Sequence, residues 1–235
     1  MPDEPVALIT GTSKGIGLGL ARYFLAQGYR VAGCSRSESP LVTENYLHTP
    51  LSVADEQATA AWVRGTRQRW GRVDVLVCNA GFAPATHLLA MTDRQVWDAV
   101  VRTNVDGAFF ALREVARIMT KQRAGRIVTI TSMAAALHLE GTGAYAASKA
   151  ALVEMTKVLA RELASSNVTC NAVGVSMVMT DAADALGETV RARAVEKLTL
   201  KRPLTVDEVC GVVGFLCSDA ARTVTGQVIQ MGLVT

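Results

Sequence analysis

Three polar side chains stand out in the alanine-rich stretch from residue 132 to residue 152: Ser132, Tyr145 and Lys149. An unperturbed tyrosine has a pKa of about 10, so it is a weak acid and a poor base near neutral pH. A lysine four residues later lies on the same helix face, where its charge can stabilise the phenolate. A serine on a neighbouring element can donate a hydrogen bond to a substrate oxygen as negative charge develops there. The spacing therefore predicts a general acid–base site, with an ordinary Tyr and Lys on a helix surface as the alternative.

A glycine-rich loop near the N-terminus predicts a dinucleotide site. The residues TGTSKGIG, with Gly11, Gly15 and Gly17, follow an apolar run and open an amphipathic one. Glycines allow a tight turn from strand to helix and let the backbone approach a pyrophosphate, whose charge then faces the helix N-terminus. The context of strand, turn and helix favours cofactor binding over a turn with a purely structural role.

Strands and helices must position these residues. Short apolar runs alternate with longer amphipathic runs along the chain, which is the pattern of repeated βαβ units. We therefore expect one α/β domain over residues 1–235, a Rossmann-type, doubly wound parallel sheet of about seven strands with helices on both faces. In such sheets ligands bind at the carboxyl ends of the strands. The predicted strands are residues 6–10, 30–34, 46–48, 73–78, 125–131, 168–173 and 227–230, and the predicted helices cover about 15–27, 53–70, 92–121, 144–165 and 205–218.

The composition argues against several classes of function. The net charge of +3 is too small, and the arginines are too scattered, to predict nucleic-acid binding. No apolar run reaches the roughly 18 residues of a membrane span, and acids stand where a signal peptide would be basic, so we expect a cytoplasmic protein that binds no membrane. The five cysteines have no CxxC spacing and are interpreted as reduced structural thiols. With three histidines and no HExxH motif, no metal site is expected.

Five features in order resemble the short-chain dehydrogenase/reductase family. They are the TGxxxGIG form of the glycine loop, the segment Asn79-Ala80-Gly81, Asn104, Ser132, and the pair Tyr145 and Lys149, and they extend from residue 10 to about residue 181. The resemblance implies that Tyr145 protonates a carbonyl oxygen while a nicotinamide delivers hydride to the carbonyl carbon. It also implies that Lys149 binds the nicotinamide ribose and that Asn104 holds a water in a proton relay. A capping or core amide is the alternative role for Asn104.

Charges near the second predicted strand indicate which nicotinamide cofactor binds. Ser35-Arg36-Ser37 ends that strand and Lys14 precedes the second glycine, and two cations suit the 2′-phosphate of NADP better than an NAD ribose. We therefore expect NADP(H), and with NADPH the reduction of a ketone to a secondary alcohol. Glu38, folded back to a ribose hydroxyl, is the competing interpretation. Residues assigned to the cofactor by this reasoning and by the resemblance are Gly11, Ser13, Lys14, Gly15, Ile16, Gly17, Ser35, Arg36, Ser52, Val53, Asn79, Ala80, Gly81, Tyr145, Lys149, Val178 and Thr180.

Two segments depart from the family pattern. Val175 and Ser176 stand where the family usually has Pro-Gly, which predicts a more mobile turn or altered nicotinamide binding. Residues 230–233 replace the usual Asp-Gly-Gly tail, which often helps to pack subunits. We still expect a homotetramer or dimer, because the helix over residues 105–121 is apolar on more than one face. Packing of that helix against its own sheet is the alternative.

The substrate region is also predicted from the resemblance. Residues 181–201 correspond to a lid over the substrate, and the expected pocket lining is Ala134, Leu137, His138, Leu139 and Met177. For His138 a solvent-exposed loop position is the favoured interpretation, with substrate contact as the other.

The sequence is most similar to 3-oxoacyl-carrier-protein reductases and to polyketide ketoreductases. Those enzymes dock an acyl carrier protein with arginines near the active-site mouth; Arg123 matches one such position, whereas Ser166 stands at the other. Arg126, and Arg191 or Arg193, could compensate. Two other functions stay open: an NADP-dependent reductase or dehydrogenase of a free small ketone, sugar or alcohol that needs no carrier, and a non-catalytic NADP-binding regulator.

Overall fold

The computed structural model describes residues 4–180, 183 and 187–234. Seven strands form one sheet: β1 (Val6–Thr10), β2 (Arg30–Ser35), β3 (Tyr46–Pro50), β4 (Val75–Cys78), β5 (Gly125–Ser132), β6 (Val168–Val175) and β7 (Val228–Gln230). The described helices are α1 (Gly15–Ala26), α2 (Glu56–Trp70), α3 (Arg94–Val100), α4 (Gly107–Gln122), α5 (Ala134–Leu137), α6 (Gly143–Glu162), α7 (Glu188–Glu196) and α8 (Val206–Cys217). A π-helical turn, Val101–Asp106, joins α3 to α4.

All neighbouring strands pair in parallel, in the order β3-β2-β1-β4-β5-β6-β7. The chain adds β2 and β3 on one side of β1, then crosses to β4 and continues on the other side. The direction of winding therefore reverses between β1 and β4, which is where ligands bind in such sheets. The carboxyl ends of β1, β4 and β5 bring the glycine loop, Asn79 and Ser132 to one edge of the sheet.

The sheet is buried on both faces, as its continuous apolar strands require. One core cluster packs α2, α4 and α6 against the sheet through residues such as Trp62, Leu112 and Leu152. The second cluster packs α1 and α8 against the opposite face, through residues such as Phe24 and Val213. None of the described helices is both long and apolar enough to span a membrane.

The predicted fold class is confirmed, with local differences in the elements. β4 begins at Val75 rather than residue 73, because Asp74 uses its carboxylate to accept the Val6 N–H at 2.8 Å and to bind Arg72. The helix predicted over 92–121 is divided into α3, the π-helical turn and α4. The short helix α5 and helix α7 were not predicted.

Candidate active site

The glycine loop connects β1 directly to α1. Gly11 and Gly15 have φ values of 80° and 57°, a backbone region that favours glycine. A Cβ on Gly17 would overlap the carbonyl oxygen of Gly11, so the helix can start this close to the loop only with glycine there. Lys14 precedes α1 and makes no side-chain capping bond. The first amides of α1 are therefore free to bind an anion.

The Asn79–Gly81 segment is clamped against this loop. The Asn79 side-chain amide donates to the Thr10 carbonyl at 2.9 Å, and the backbone N–H groups of Asn79 and Ala80 both donate to the Thr10 hydroxyl at 3.0 Å. A Cβ on Gly81 would lie 3.3 Å from Lys149 Nζ and 3.5 Å from Asn104 Oδ1. The segment thus joins the glycine loop to the predicted catalytic residues.

A cavity of about 320 Å³ opens at the switch point between β1 and β4. It brings together ten of the residues predicted to bind the cofactor: Gly11, Ser13, Lys14, Ser35, Arg36, Ser52, Val53, Asn79, Ala80 and Gly81. Three further lining residues were missed by the sequence reasoning: Ser37, Leu51 and Thr103. All three adjoin predicted site residues in the sequence: Ser37 follows Arg36, Leu51 precedes Ser52, and Thr103 precedes Asn104.

The charge at the rim of this cavity is positive. Lys14 and Arg36 are exposed, and neither has an ion-pair partner within the part of the chain that the structure describes. Two uncompensated cations on facing loops suit a phosphate group, since charge-assisted hydrogen bonds to phosphate are stronger than neutral ones. Glu38, the competing candidate, is exposed and does not line the cavity.

Besides Tyr145 and Lys149, five other predicted cofactor residues do not line this cavity. Gly15 and Thr180 line an adjoining cavity of about 690 Å³, which they share with Ser13 and Lys14. The side chain of Ile16 packs against the core, so only its backbone is placed to contact a ligand. Val178 is buried and forms a bridge with Leu204. Gly17 has no side chain, which allows α1 to pack closely against the glycine loop.

A separate cavity of about 210 Å³ contains the predicted serine and tyrosine. Ser132 ends β5, Tyr145 lies in the first turn of α6, and both line this cavity. The Ala134 N–H donates to the Ser132 hydroxyl at 3.2 Å, which leaves the serine hydrogen free to donate elsewhere. Two hydroxyl groups therefore face one small, mainly apolar space.

Burial raises the pKa of Tyr145 above its usual value, and a hydrogen bond with Ser132 opposes this by a smaller amount. Lys149 was predicted to lower this pKa, but it is not among the groups that shift the pKa of Tyr145. The Lys149 ammonium lies 5.7 Å from the centroid of the Tyr145 ring and donates instead to the Ile130 carbonyl at 2.9 Å. Tyr145 consequently keeps its proton at neutral pH and can act as a proton donor.

Lys149 is almost fully buried, with 3% of its surface exposed. Burial in low dielectric disfavours the ammonium form and lowers its pKa to about 8, with a smaller opposing effect of Cys78. Cys78 is buried next to it, and burial raises its thiol pKa to about 12. The lysine therefore carries its charge at neutral pH but loses it in mildly alkaline solution.

Asn104 occupies the π-helical turn and is completely buried. Its Oδ1 accepts from the Phe82 N–H at 2.6 Å, and its Nδ2 donates to the Phe82 carbonyl at 3.0 Å and to the Ser148 hydroxyl at 2.9 Å. π-helical turns inside helices are frequent at functional sites. The amide holds the segment after Gly81 against the residue that precedes Lys149, and its role in a proton relay stays a prediction.

The predicted substrate-pocket residues are only partly brought together. Ala134 and Leu139 line the cavity with Tyr145, whereas Leu137, His138 and Met177 do not. His138 lies at the end of α5, with a φ of 51°. It is exposed, as the favoured interpretation of a solvent-exposed loop position predicts. Met177 follows β6 and is half-buried, and contact of Leu137, His138 or Met177 with a substrate stays a prediction. Residues 181, 182 and 184–186 of the predicted lid lie outside the described residues.

The other eleven residues that line this cavity were not predicted, and His87 is among them. His87 borders the cavity, and its ring donates through Nδ1 to the Ala85 carbonyl at 3.0 Å. Its backbone N–H donates to the Gly141 carbonyl at 3.1 Å, which joins the loop after β4 to the loop before α6. Its position after the Asn79–Gly81 motif is the only sequence signal that could have indicated it.

Arg123, the predicted carrier contact, lies at the opposite edge of the sheet. It ends α4 and donates to the Ser165 carbonyl at 3.1 Å, just before β5 begins. Ser132 is nine residues further along, at the far end of that strand. At about 3.3 Å per strand residue the two are roughly 25–30 Å apart. Arg123 is therefore not at the mouth of the cavity within one chain.

The Val175–Ser176 departure lengthens a strand. Without proline, β6 continues through Val175, which pairs with Ser132 and accepts the Met133 N–H at 2.9 Å. The pairing extends to the last residue of β5, and a more mobile turn or altered nicotinamide binding stays a prediction. The strand pairing thus supports Ser132 directly.

A family model described as "Enoyl-(Acyl carrier protein) reductase" matches residues 11–232, nearly the whole chain. The chain belongs to the short-chain dehydrogenase/reductase family. Curated relatives in this family include the 3-oxoacyl-[acyl-carrier-protein] reductases FabG of Salmonella typhimurium and Escherichia coli. Each is 34% identical over 235 residues, which cover 97% of this chain and 96% of the relative.

Two solved structures match the fold of this chain closely. "ElxO with NADP Bound" has a TM-score of 0.91 and 26% identity, and covers 97% of each chain. The 3-ketoacyl-(acyl-carrier-protein) reductase from Brucella melitensis complexed with NADH has a TM-score of 0.90 and 25% identity, and covers 98% of each chain. One of these structures contains NADP and the other contains NADH.

Proposed function

We propose that this short-chain dehydrogenase/reductase is an NADPH-dependent reductase of 3-oxoacyl thioesters carried on an acyl carrier protein. The observation that carries the proposal is the adjacency of two sites at one sheet edge. The phosphate-binding cations Lys14 and Arg36 border one cavity, and the hydroxyls of Ser132 and Tyr145 border the next. Full-length similarity to 3-oxoacyl-[acyl-carrier-protein] reductases supports this choice of substrate.

The residues present fit a nicotinamide cofactor. Gly11 and Gly17 leave space that a Cβ would fill, and the free amides of α1 suit a pyrophosphate. Ser35, Arg36 and Lys14 would hold the 2′-phosphate, and Lys149 would bind the nicotinamide ribose. When bound, the cofactor supplies the hydride that reduces the substrate carbon.

The proton comes from the chain's own residues. Tyr145 is protonated at neutral pH, because burial raises its pKa, and it donates that proton to the carbonyl oxygen. Ser132, which accepts from Ala134, donates a second hydrogen bond to the same oxygen. Two donors fixed before the reaction stabilise the negative charge that develops on the oxygen. The mainly apolar cavity excludes water from this step.

Reduction of the C=C bond of an enoyl thioester is the second candidate, favoured by the description of the matching family model. There the hydride goes to a carbon remote from the oxygen that takes up the charge. The convergence of Ser132 and Tyr145 on one small cavity fits a carbonyl that receives hydride at its own carbon. The relatives at 34% identity also carry the 3-oxoacyl description.

A substrate comparison tests the proposal. Oxidation of NADPH is followed by absorbance with acetoacetyl-carrier protein, acetoacetyl-N-acetylcysteamine, crotonyl-N-acetylcysteamine and a free ketone, and then with NADH. We expect kcat/KM to be highest for the carrier-bound 3-oxo thioester with NADPH. The enoyl thioester should be inert.

Each contrary outcome identifies one alternative. Equal kcat/KM for acetoacetyl-carrier protein and its N-acetylcysteamine analogue would indicate a reductase that ignores the carrier. Turnover of the crotonyl thioester alone would indicate an enoyl reductase. Cofactor binding without turnover of any substrate would indicate the non-catalytic regulator.

A homo-oligomer is part of the proposal. A groove of about 940 Å³ runs between α4 and α6, with Phe109 and Val158 exposed along it. Its α4 side carries the cations Arg113, Arg117 and Lys121, and its α6 side carries Glu154 and Glu162. A second copy packed antiparallel would cover the apolar surface and bring opposite charges side by side. Arg113, Arg117 and Glu154 also form ion pairs within their own chain. Light scattering should then give a dimer or tetramer mass, and a monomer mass would exclude this arrangement.

The same arrangement gives Arg123 a role in carrier docking. Both α4 and α6 run from the carboxyl edge of the sheet to its amino edge. Antiparallel packing of two copies therefore brings the Arg123 end of one copy beside the cavity of the other. An acidic carrier protein could then contact Arg123 from one copy while its thioester enters the other.

A further inference from the structure

His48 lies behind the turn that carries Arg36, and the cofactor motifs assign it no role. It is half-buried on β3 and does not line the cofactor cavity. Its Nε2 lies 3.0 Å from the Ser37 carbonyl oxygen, and because a carbonyl only accepts, Nε2 must carry the hydrogen of this bond. The Ser37 carbonyl also accepts from the Ser35 hydroxyl at 2.7 Å. Two bonds therefore hold this carbonyl inward.

The shape of the turn follows from these two bonds. With the Ser37 carbonyl held towards β3, the side chain of Arg36 stays exposed at the rim of the cavity. Arg36 itself has no ion-pair partner among the described residues that would fix its direction. The order of the turn therefore depends on Ser35 and His48.

The other ring nitrogen of His48 connects to the glycine loop. Nδ1 lies 3.2 Å from the oxygen of the Tyr46 hydroxyl, and Tyr46 donates its one hydroxyl hydrogen to the Thr12 hydroxyl at 2.9 Å, so His48 and Tyr46 are in contact without a hydrogen between these two atoms. A Cβ on Gly33 would overlap both the Tyr46 and Thr12 oxygens, so glycine at that position leaves room for this bond. The chain of contacts runs from Ser37 through His48 and Tyr46 to Thr12. It thus links the two loops that carry Arg36 and Lys14.

We propose that His48 is a positioning residue that sets the preference for the 2′-phosphate of NADP(H), by holding the Ser35–Ser37 turn in register with the glycine loop. The inference rests on the proposed function, in which Arg36 and Lys14 bind that phosphate. Because the Ser35–Ser37 turn would bind the 2′-phosphate, loss of His48 should weaken the use of NADPH and leave that of NADH, which lacks the phosphate, nearly unchanged.

The test compares NADPH with NADH in variants of His48. His48→Leu removes the donor to Ser37, and we expect the ratio of kcat/KM for NADPH to that for NADH to fall about three- to tenfold, as expected for one lost hydrogen bond. The change should lie in the KM for NADPH. His48→Gln places an amide N–H at a similar reach and should restore most of the ratio.

Three further variants calibrate the result. Arg36→Gln removes the charge itself and should lower the ratio more than His48→Leu does. Tyr46→Phe is nearly isosteric, keeps the bond from His48 to Ser37, and should give a smaller decrease. Glu44→Gln changes an exposed charge just before β3 and should leave the ratio unchanged.

The possible failures are distinguishable. If the wild-type protein does not prefer NADPH, the cofactor assignment of the proposed function is wrong, and the role proposed for His48 is wrong with it. If the wild type prefers NADPH and His48→Leu keeps that preference, only the role of His48 is overturned. Proportional losses with both cofactors in His48→Leu and His48→Gln would indicate general loosening of β3, which also overturns it.

Discussion

Replacing Tyr145 with phenylalanine is expected to lower kcat for 3-oxoacyl reduction about 10²–10⁴-fold, the usual contribution of a general acid. The variant loses only the hydroxyl that donates to the substrate oxygen. Ser132 keeps its bond from Ala134 and still offers one hydrogen bond to that oxygen, so some activity should remain. The dissociation constant for NADPH, measured by fluorescence titration, should change little, because the phosphate and pyrophosphate sites are separate from the hydroxyl.

Tyr29→Phe is the matched control for this experiment. Tyr29 lies before β2, at the amino edge of the sheet, and burial also raises its pKa. Its loss should leave kcat unchanged. A Tyr145→Phe variant with kcat within a factor of about two of the wild type would show that the proton comes from another group, and the mechanism would be wrong.

The parts of the site that sequence reasoning predicts are those coded by local patterns. The glycine loop, Asn79–Gly81 and the Tyr145–Lys149 spacing each lie within one turn or one helix, so their geometry follows from neighbouring residues. The sheet order then follows from the alternation of strands and helices. These features were enough to place the cofactor cavity at the carboxyl edge of β1 and β4.

The parts that were missed depend on contacts between distant segments. His48 touches Ser37 only because β2 and β3 pair in parallel, in a register that places Gly33 opposite His48. His87 reaches the substrate cavity because its backbone is bonded to Gly141, more than fifty residues later. No local pattern specifies either contact.

The position of Arg123 has to be considered for more than one chain. Similarity to carrier-dependent enzymes assigned it to the mouth of the active site, yet the strand that separates it from Ser132 is eight residues long. A residue that is distant from the active site of its own chain can lie beside the active site of a neighbouring copy. The assignment therefore depends on the proposed packing of α4 and α6 between two copies.

Replacing Lys149 with methionine is expected to have two opposite effects. Activity should fall by at least about 10²-fold, because the ammonium that would bind the nicotinamide ribose beside Tyr145 is lost. The free energy of unfolding at pH 7 should rise by about 2 kcal/mol, since a shift of 2–3 pKa units corresponds to about 3 kcal/mol and the lost bond to the Ile130 carbonyl removes about 1. Urea unfolding at several pH values measures the second effect.

The gain in stability should depend on pH in a defined direction. The pKa of Lys149 falls from 10.5 to about 8 on folding, so the folded protein binds its proton less tightly than the unfolded chain does. The cost of burying the charge is fully present below pH 8 and disappears as the pH rises from about 8 towards 10.5. The difference between Lys149→Met and wild type should therefore shrink over that range.

Lys157→Met separates this effect from a general benefit of methionine in α6. Lys157 lies two turns further along the same helix, is exposed, and pairs with Glu154 at 2.8 Å. Exposed pairs of this kind contribute less than about 1 kcal/mol, so this variant should be no more stable than the wild type at any pH. If Lys149→Met were instead destabilised at pH 7, the ammonium would be better solvated or paired than its burial indicates. If Lys149→Met is instead more stable than the wild type and inactive, Lys149 lowers the stability of the fold and is needed for the reaction.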